Sequence, residues 1–263
     1  MPVSSKNCSP FTAHCSLLFI HGWATDSRIW QHQVKEFSKD YEVIAVELPG
    51  HSEKDVWSEP TLRPAVEKVL LSTVHCPLST GFIGIGWSLG GQALLEAALN
   101  SPDLFKGLIL VASSPCFVEK KDFQWGRSQA VARRMLKDLK KDFTKTMERF
   151  YPLNFTEEEL ATDNAKWFLS YYKGKSAMFH HDSIAKGLEA LFSFDIRKSL
   201  NCIKVPVLII QGSEDNVCPS GASKYLANNI SNAKIEIIRA GHVPFLTRHK
   251  EFNKIVMGFI ETL

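Results

Sequence analysis

The stretch with the clearest capacity for chemistry is Gly86-Trp87-Ser88-Leu89-Gly90. An apolar, strand-like run from Phe82 to Ile85 leads into it, and a helix-forming stretch, Gln92 to Asn100, follows. The pattern G-x-S-x-G between a strand and a helix places a serine hydroxyl on a sharp, strained turn, where side chains on the flanking glycines would collide with neighbouring backbone. A serine hydroxyl is nearly unreactive at neutral pH. It needs a base, a carboxylate to orient that base, and donors for developing oxyanion charge. After such an elbow the expected chain order is Ser, acid, His.

Two later strand ends supply those partners. Val205 to Gln211 runs into Gly212-Ser213-Glu214-Asp215-Asn216, and Lys234 to Arg239 runs into Ala240-Gly241-His242-Val243-Pro244. Asp215 and His242 are therefore the expected partners of Ser88. His242 takes the serine proton and returns it to the leaving group, while Asp215 holds the imidazole. Glu214 competes with Asp215 as the acid; the shorter carboxylate at the loop apex is preferred. Two backbone N–H groups should form the oxyanion hole. One is that of Leu89, at the start of a helix, and the other comes from His21-Gly22-Trp23-Ala24, with Trp23 the expected donor. His21 itself reads as a structural turn residue.

These residues need a scaffold that brings strand ends together. Apolar runs at Ser16 to Ile20, Tyr41 to Glu47, Gly81 to Ile85, Gly107 to Ala112, Val205 to Gln211 and Lys234 to Arg239 read as strands. Helical patterns at Ser27 to Phe37, Thr61 to Val74, Ser88 to Asn100, Ser220 to Ile230 and Glu251 to Leu263 alternate with them. That alternation implies an α/β fold with a mostly parallel sheet flanked by helices. The rhythm breaks between Phe117 and Leu200. There, one helix from Ser128 to Phe150 carries Val131, Met135, Leu139, Phe143 and Met147 at steps of four. A second begins at a capping box, Thr156 with Glu159, and a third spans Ser176 to Phe192. Residues 1–116 and 201–263 are thus expected to form the core, and 117–200 a helical cap over the carboxyl ends of the strands.

Composition bounds the alternatives. At 263 residues with 44% apolar content, the chain can build a substantial core. A net charge of +3 is too small for whole-protein attraction to nucleic acid, and no run approaches the ~20 apolar residues of a membrane span. Met1 to Ser16 is polar, with no apolar leader core. Six cysteines lack metal-like or paired spacing, which fits reduced thiols and a cytoplasmic setting. Cys116 and Cys218 read as small buried hydrophobes.

With His21-Gly22-Trp23, Leu48-Pro49-Gly50-His51-Ser52, the elbow and Gly241-His242, the chain resembles the α/β-hydrolase superfamily over nearly its whole length. About fifteen residues precede the first core strand, so the family's leading strand pair is expected to be missing or shortened. A narrower resemblance is carried by Val111-Ala112-Ser113-Ser114-Pro115-Cys116-Phe117, Glu148-Arg149-Phe150 and Gly187-Leu188-Glu189. These look like the biotin-pathway pimeloyl-[acyl-carrier protein] methyl ester esterases. That resemblance implies hydrolysis of a methyl ester through an acyl-enzyme, with no metal or organic cofactor. It puts Trp23 and Leu89 at the ester, and Phe150, Tyr151, Leu153 and Asn154 along the acyl channel. It also implies a monomer that meets an acidic acyl-carrier protein.

Charge agrees with such a partner. From Glu119 to Arg149, ten Lys/Arg face five acids. Arg133, Arg134, Lys137, Lys141, Lys145 and Arg149 are the expected docking residues, able to steer an acidic partner with strong salt dependence. Lys145 stands where the family tends to arginine, keeping charge without the bidentate fork. Competing readings are a general carboxylesterase for short acyl esters, with an incidental basic cap, and a non-catalytic binding protein of the same fold.

Overall fold

Six short apolar runs pair into one sheet. In the computed structural model, which describes residues 15–52, 55–73, 81–175 and 178–263, they are β1 (Ser16–Ile20), β2 (Val43–Val46), β3 (Phe82–Trp87), β4 (Phe105–Val111), β5 (Val207–Gly212) and β6 (Ala233–Ile238). Their ends lie within two residues of those expected from the sequence. All pairings are parallel, in the order β2-β1-β3-β4-β5-β6. Every residue of β1, β3 and β5 is buried, as continuous apolar strands covered on both faces must be. The edge strand β6 is half exposed and carries Lys234 and Glu236.

Chain order sets where a ligand can sit. The chain starts at β1, moves outward to β2, then returns past β1 to β3. The loops leaving β1 and β3 therefore diverge, and a crevice opens at their carboxyl ends. Around the sheet lie α1 (Gln31–Phe37), α2 (Arg63–Leu71) and α3 (Leu89–Asn100). A 3-10 turn, Ser27–Trp30, occupies the first part of the expected Ser27 to Phe37 helix. Trp30 from that turn stacks near Phe19 of β1 and Phe245, with ring centroids 5.2 and 4.1 Å away.

Between β4 and β5, no residue joins the sheet among those described; the segment holds isolated bridges, 3-10 turns at Tyr151–Asn154 and Arg197–Cys202, and five α-helices. These are α4 (Gln129–Lys141), α5 (Phe143–Phe150), α6 (Glu157–Leu160), α7 (Asp163–Lys175) and α8 (His181–Ser193). After β5 come α9 (Ser220–Asn229), the one-turn α10 (Pro244–Thr247) and α11 (His249–Ile260). No described helix is long and apolar enough to cross a membrane.

Three expectations for the inserted segment change. The single helix from 128 to 150 is two, broken at Asp142, whose backbone is extended (φ −153°, ψ 91°) and whose carboxylate accepts the Lys145 N–H at 3.0 Å. Steps of four residues advance about 40° around an α-helix. The five-residue stripe therefore could not stay on one face: within α4 it turns from Val131, 56% exposed, to the buried Leu139, and the break re-aims α5 so that Phe143 and Met147 are buried. The Thr156–Glu159 capping box forms, but it caps only the single turn of α6. A separate helix, α7, then buries Ala165, Phe168 and Tyr172 at helical spacing. The third helix starts at His181, capped by His180; residues 176 and 177 lie outside the described residues. The expectations about a leading strand pair, Cys8, Cys76 and the end of the helix at Val74 also fall outside them. Cys116 and Cys218 are buried together in a small apolar cluster with Phe123, as expected.

Replacing Asp142 with alanine removes the α5 cap and should lower stability by about 1 kcal/mol, read from the urea unfolding midpoint. Asp138→Ala, which breaks only the exposed pair with Arg134, should cost about 0.4 kcal/mol. Equal losses would mean that the cap does not hold the break.

Candidate active site

Ser88 follows β3 with φ +53° and ψ −117°, a left-handed conformation rare for a residue with a Cβ. The surroundings over-determine it. Its N–H donates to the Val111 carbonyl (2.9 Å), and its own carbonyl accepts the Gly91 N–H and the Ser113 hydroxyl (both 3.0 Å). The two flanking glycines are sterically required. A Cβ on Gly86 would lie 2.6 Å from the Gly90 carbonyl oxygen, and one on Gly90 would lie 2.5 Å from that of His21. The turn therefore packs directly against the end of β1.

Asp215 and His242 meet across the ends of β5 and β6. His242 Nδ1 lies 2.7 Å from Asp215 Oδ2, with both side chains essentially inaccessible. Since a carboxylate offers only acceptors, Nδ1 is the donor and Nε2 is left to accept a proton. The other oxygen, Oδ1, accepts the N–H groups of Val217 (2.7 Å) and Cys218 (2.8 Å). Glu214, the competing acid, instead turns outward, 52% exposed and 3.5 Å from Arg239.

The histidine loop is moored to the inserted segment. His242 N–H donates to the Asn154 carbonyl (2.8 Å), and Gly241 N–H to Glu159 Oε2 (2.9 Å). The other oxygen of this fully buried Glu159 accepts the Thr247 hydroxyl. The Trp87 indole donates to the His242 carbonyl (2.9 Å).

Two amides are available for an oxyanion. Those of Trp23 and Leu89 donate to no group among the described residues, and Leu89 opens α3, where the helix dipole favours negative charge. The loop bearing Trp23 turns at Ala24 (φ +55°), whose N–H donates to His51 Nε2 (3.0 Å) and whose carbonyl accepts the Tyr151 hydroxyl (2.9 Å). Burial, with His21 beside it, pulls His51 down to about 3, so the ring remains an acceptor at any working pH. His21 is fully buried, with Nδ1 against the Gly22 carbonyl (2.8 Å) and Nε2 accepting the Leu48 N–H (3.0 Å), a turn-holding role as expected.

A family model described as alpha/beta hydrolase fold matches residues 16–249. This chain belongs to the alpha/beta hydrolase fold family. It is 31% identical, over 90% of its length and 92% of the relative's, to a Nitrosomonas europaea protein named pimeloyl-[acyl-carrier protein] methyl ester esterase. A Wigglesworthia glossinidia brevipalpis protein of the same name is 33% identical over 94% of this chain and 93% of its own. Among solved structures, an esterase from Exiguobacterium antarcticum superposes with a TM-score of 0.85 at 20% identity, covering 95% of this chain and 93% of that one. An enol-lactonase from Burkholderia xenovorans LB400 gives 0.82 at 21% identity, covering 94% and 92%. These two likenesses concern the fold.

Ser88 opens onto a narrow cavity. Ser88 and His242 form one wall with Trp23, Trp87 and Val217; the inserted segment supplies Phe117, Met135, Phe150, Asn154, Leu188 and Leu191. Trp23, Phe150 and Asn154 thus stand where the sequence put substrate-contacting residues. Leu89 and Tyr151, also expected at the substrate, are buried and do not line the cavity; the Tyr151 hydroxyl is tied to the Ala24 carbonyl. Leu153 does not line it either: it is 51% exposed, because the 3-10 turn Tyr151–Asn154 points it outward. Trp87, Phe117, Met135, Leu188, Leu191 and Val217 were not foreseen as lining residues. Met135 had a signal in its helical stripe, and Leu188 in the Gly187-Leu188-Glu189 motif. A larger open groove between α1 and α11, near His32 and His249, is lined by no hydroxyl or thiol. Among the described residues, no group of three His, Cys, Asp or Glu could hold a metal.

Arg133, Arg134, Lys137, Lys141, Lys145 and Arg149 are all exposed on α4 and α5. Arg134 pairs with Asp138 (2.7 Å), and Arg133 donates to Gln129 (2.7 Å). Lys137, Lys141, Lys145 and Arg149 form no ion pair among the described residues.

Gly90→Ala should destabilise the protein by about 3 kcal/mol or more, through backbone collision. Gly258→Ala, on an exposed turn of α11 where a Cβ meets nothing within 4 Å, should stabilise by up to about 1 kcal/mol. Denaturant titration checks both, and a neutral Gly90→Ala would contradict the packing of the elbow on β1.

Proposed function

We infer that this protein is a serine carboxylesterase acting on pimeloyl-[acyl-carrier protein] methyl ester in biotin synthesis. The observation that carries the mechanism is the 2.7 Å contact of His242 Nδ1 with Asp215, beside Ser88 in one cavity. Full-length likeness to relatives bearing that name supports the substrate. In this reading Ser88 Oγ attacks the ester carbonyl while His242 Nε2 takes its proton. The Leu89 and Trp23 amides receive the tetrahedral oxyanion, each worth ~2.7–4 kcal/mol of transition-state stabilisation. His242 then returns the proton to the departing oxygen, releasing methanol and leaving an acyl-Ser88 ester. Water, activated by the same imidazole, cleaves that ester and frees the acid.

Substrate division follows from the walls. The apolar cavity suits a methylene chain, with Trp23, Phe150 and Asn154 as contacts and residues 117–200 acting as a cap. The exposed cations on α4 and α5 suit the acidic surface of a carrier protein, which docks transiently on a cytoplasmic monomer. Lys137, Lys141, Lys145 and Arg149 carry most of that attraction in this reading, since their charge is not already neutralised nearby.

Ser88→Ala should lower ester hydrolysis by at least about 10⁴-fold, with an unchanged unfolding midpoint and no labelling by a fluorophosphonate probe. Appreciable turnover by that variant would remove Ser88 from the mechanism. Lys145→Glu with Arg149→Glu should raise KM for the carrier-linked methyl ester about tenfold while leaving free dimethyl pimelate within about twofold. The gap should shrink as salt is added. Equal effects on both substrates would indicate a general carboxylesterase.

A further inference from the structure

Behind the acid lies a second, fully buried polar side chain that the reaction just described does not use. Gln211 closes the carboxyl end of β5 with no solvent exposure. Its amide nitrogen faces three oxygens: Asp215 Oδ2 at 3.0 Å, the Gly212 carbonyl at 3.1 Å and the Cys218 carbonyl at 3.2 Å. Its amide oxygen accepts the hydroxyl of Ser223, itself fully buried, at 2.6 Å. This arrangement fixes the amide's orientation. A flipped amide would put its oxygen against three acceptors, which no proton could satisfy.

We propose that Gln211 is a positioning residue for the acid, an oriented amide that Ser223 aims at the same Asp215 oxygen that holds His242. The proposal rests on the Ser88–His242–Asp215 reading. Oδ2 receives two donors, the imidazole at 2.7 Å and the amide at 3.0 Å, while Oδ1 receives two backbone N–H groups. Four donors from three directions leave the carboxylate a single orientation. The amide also acts electrically. Its positive end shares the charge of Oδ2 with the imidazole, so it restrains how strongly Asp215 holds a protonated His242. A base gripped too tightly as imidazolium would return its proton poorly to a leaving group.

Other charged and titratable groups lie around this network. Arg127 donates through Nε to the Val217 carbonyl (2.9 Å). Cys218 is buried beside Asp215, which together push its thiol well up and out of the working range. Glu214 with Arg239 lies on the solvent side, and Glu159 stands behind Gly241. None of these side chains hydrogen-bonds to Gln211 or Ser223.

The test uses the full-length protein and a p-nitrophenyl ester, with kcat and KM measured across pH. Gln211→Met keeps volume and loses both donors. It should lower kcat about tenfold, leave KM unchanged, and move the acid limb of kcat/KM upward by roughly half a pH unit. Ser223→Ala frees the amide without removing it, and should move the limb the same way by less. A residue that merely fills space could lower kcat, but it would not shift the limb. Folded variants whose acid limb coincides with that of the unsubstituted protein would overturn the proposal, whatever their rates. Should Gln211→Met fail to fold, Ser223→Ala alone decides by the same criterion. A parent protein that neither turns over the ester nor labels with a fluorophosphonate would instead overturn the serine-esterase reading beneath it. Labelling and turnover intact with no limb shift would overturn only the role of Gln211.

Discussion

A residue with a side chain held at φ +53° is the constraint on which the rest depends. In isolation that conformation costs a kilocalorie or two. It persists because the chain on either side has nowhere else to go. Gly86 and Gly90 let β3 and α3 approach each other and the end of β1, and the Ser88 amide and carbonyl are both taken up by neighbouring backbone and Ser113. One turn therefore points the hydroxyl into the crevice and leaves the Leu89 N–H unused at the head of α3. Strain at Ser88 is part of how a hydroxyl and an unused amide come from adjacent residues.

Asp215 and His242 obey a different logic, because they sit on loops. Loops are mobile unless their backbone is tied down, and here the ties come largely from the inserted segment. Asn154 and Glu159 hold the backbone of Gly241 and His242, and Tyr151 holds that of Ala24. The same short stretch also lines the cavity through Phe150 and Asn154. A segment that looks like an ornament on the sheet thus serves as a brace for the histidine loop and the Trp23 loop at once. Changes to the cavity wall near Asn154 therefore reach the backbone of His242.

Strands and their ends were legible in the sequence because each core strand is a continuous apolar run, and in a parallel sheet the chemistry lies where such runs stop. Ser88, Asp215 and His242 could be picked out on that ground, and so could the unused amides. Long-range facts were not legible. Nothing local says that Val217 and Leu191, far apart in the chain, share a wall, or that Leu153 faces solvent while its neighbour Asn154 faces the cavity. Steps of four along 131–147 suggested one helix, since periodicity is blind to a break that restarts the phase, and Asp142 looks like an ordinary polar position. Gln211 illustrates the limit best. In the sequence it is a polar residue ending a strand, and only the placement of Ser223 and Asp215 gives its amide a direction.

Charge and chemistry are kept apart in this molecule. The cavity walls from the inserted segment are apolar but for Asn154, while Lys137, Lys141, Lys145 and Arg149 lie exposed on α4 and α5. That separation has a physical basis. A lysine inside the cavity would have to be desolvated, and would hold an anionic ligand in its ground state. On the surface the same charge acts over about 8 Å at physiological salt, far enough to orient an acidic partner before contact. Attraction can then be strong without tightening the grip on a product that must leave, because screening and rim contacts govern arrival more than release. A helix pair with Met135 and Phe150 on the cavity side and Lys137, Lys141, Lys145 and Arg149 exposed meets both demands with one element of structure.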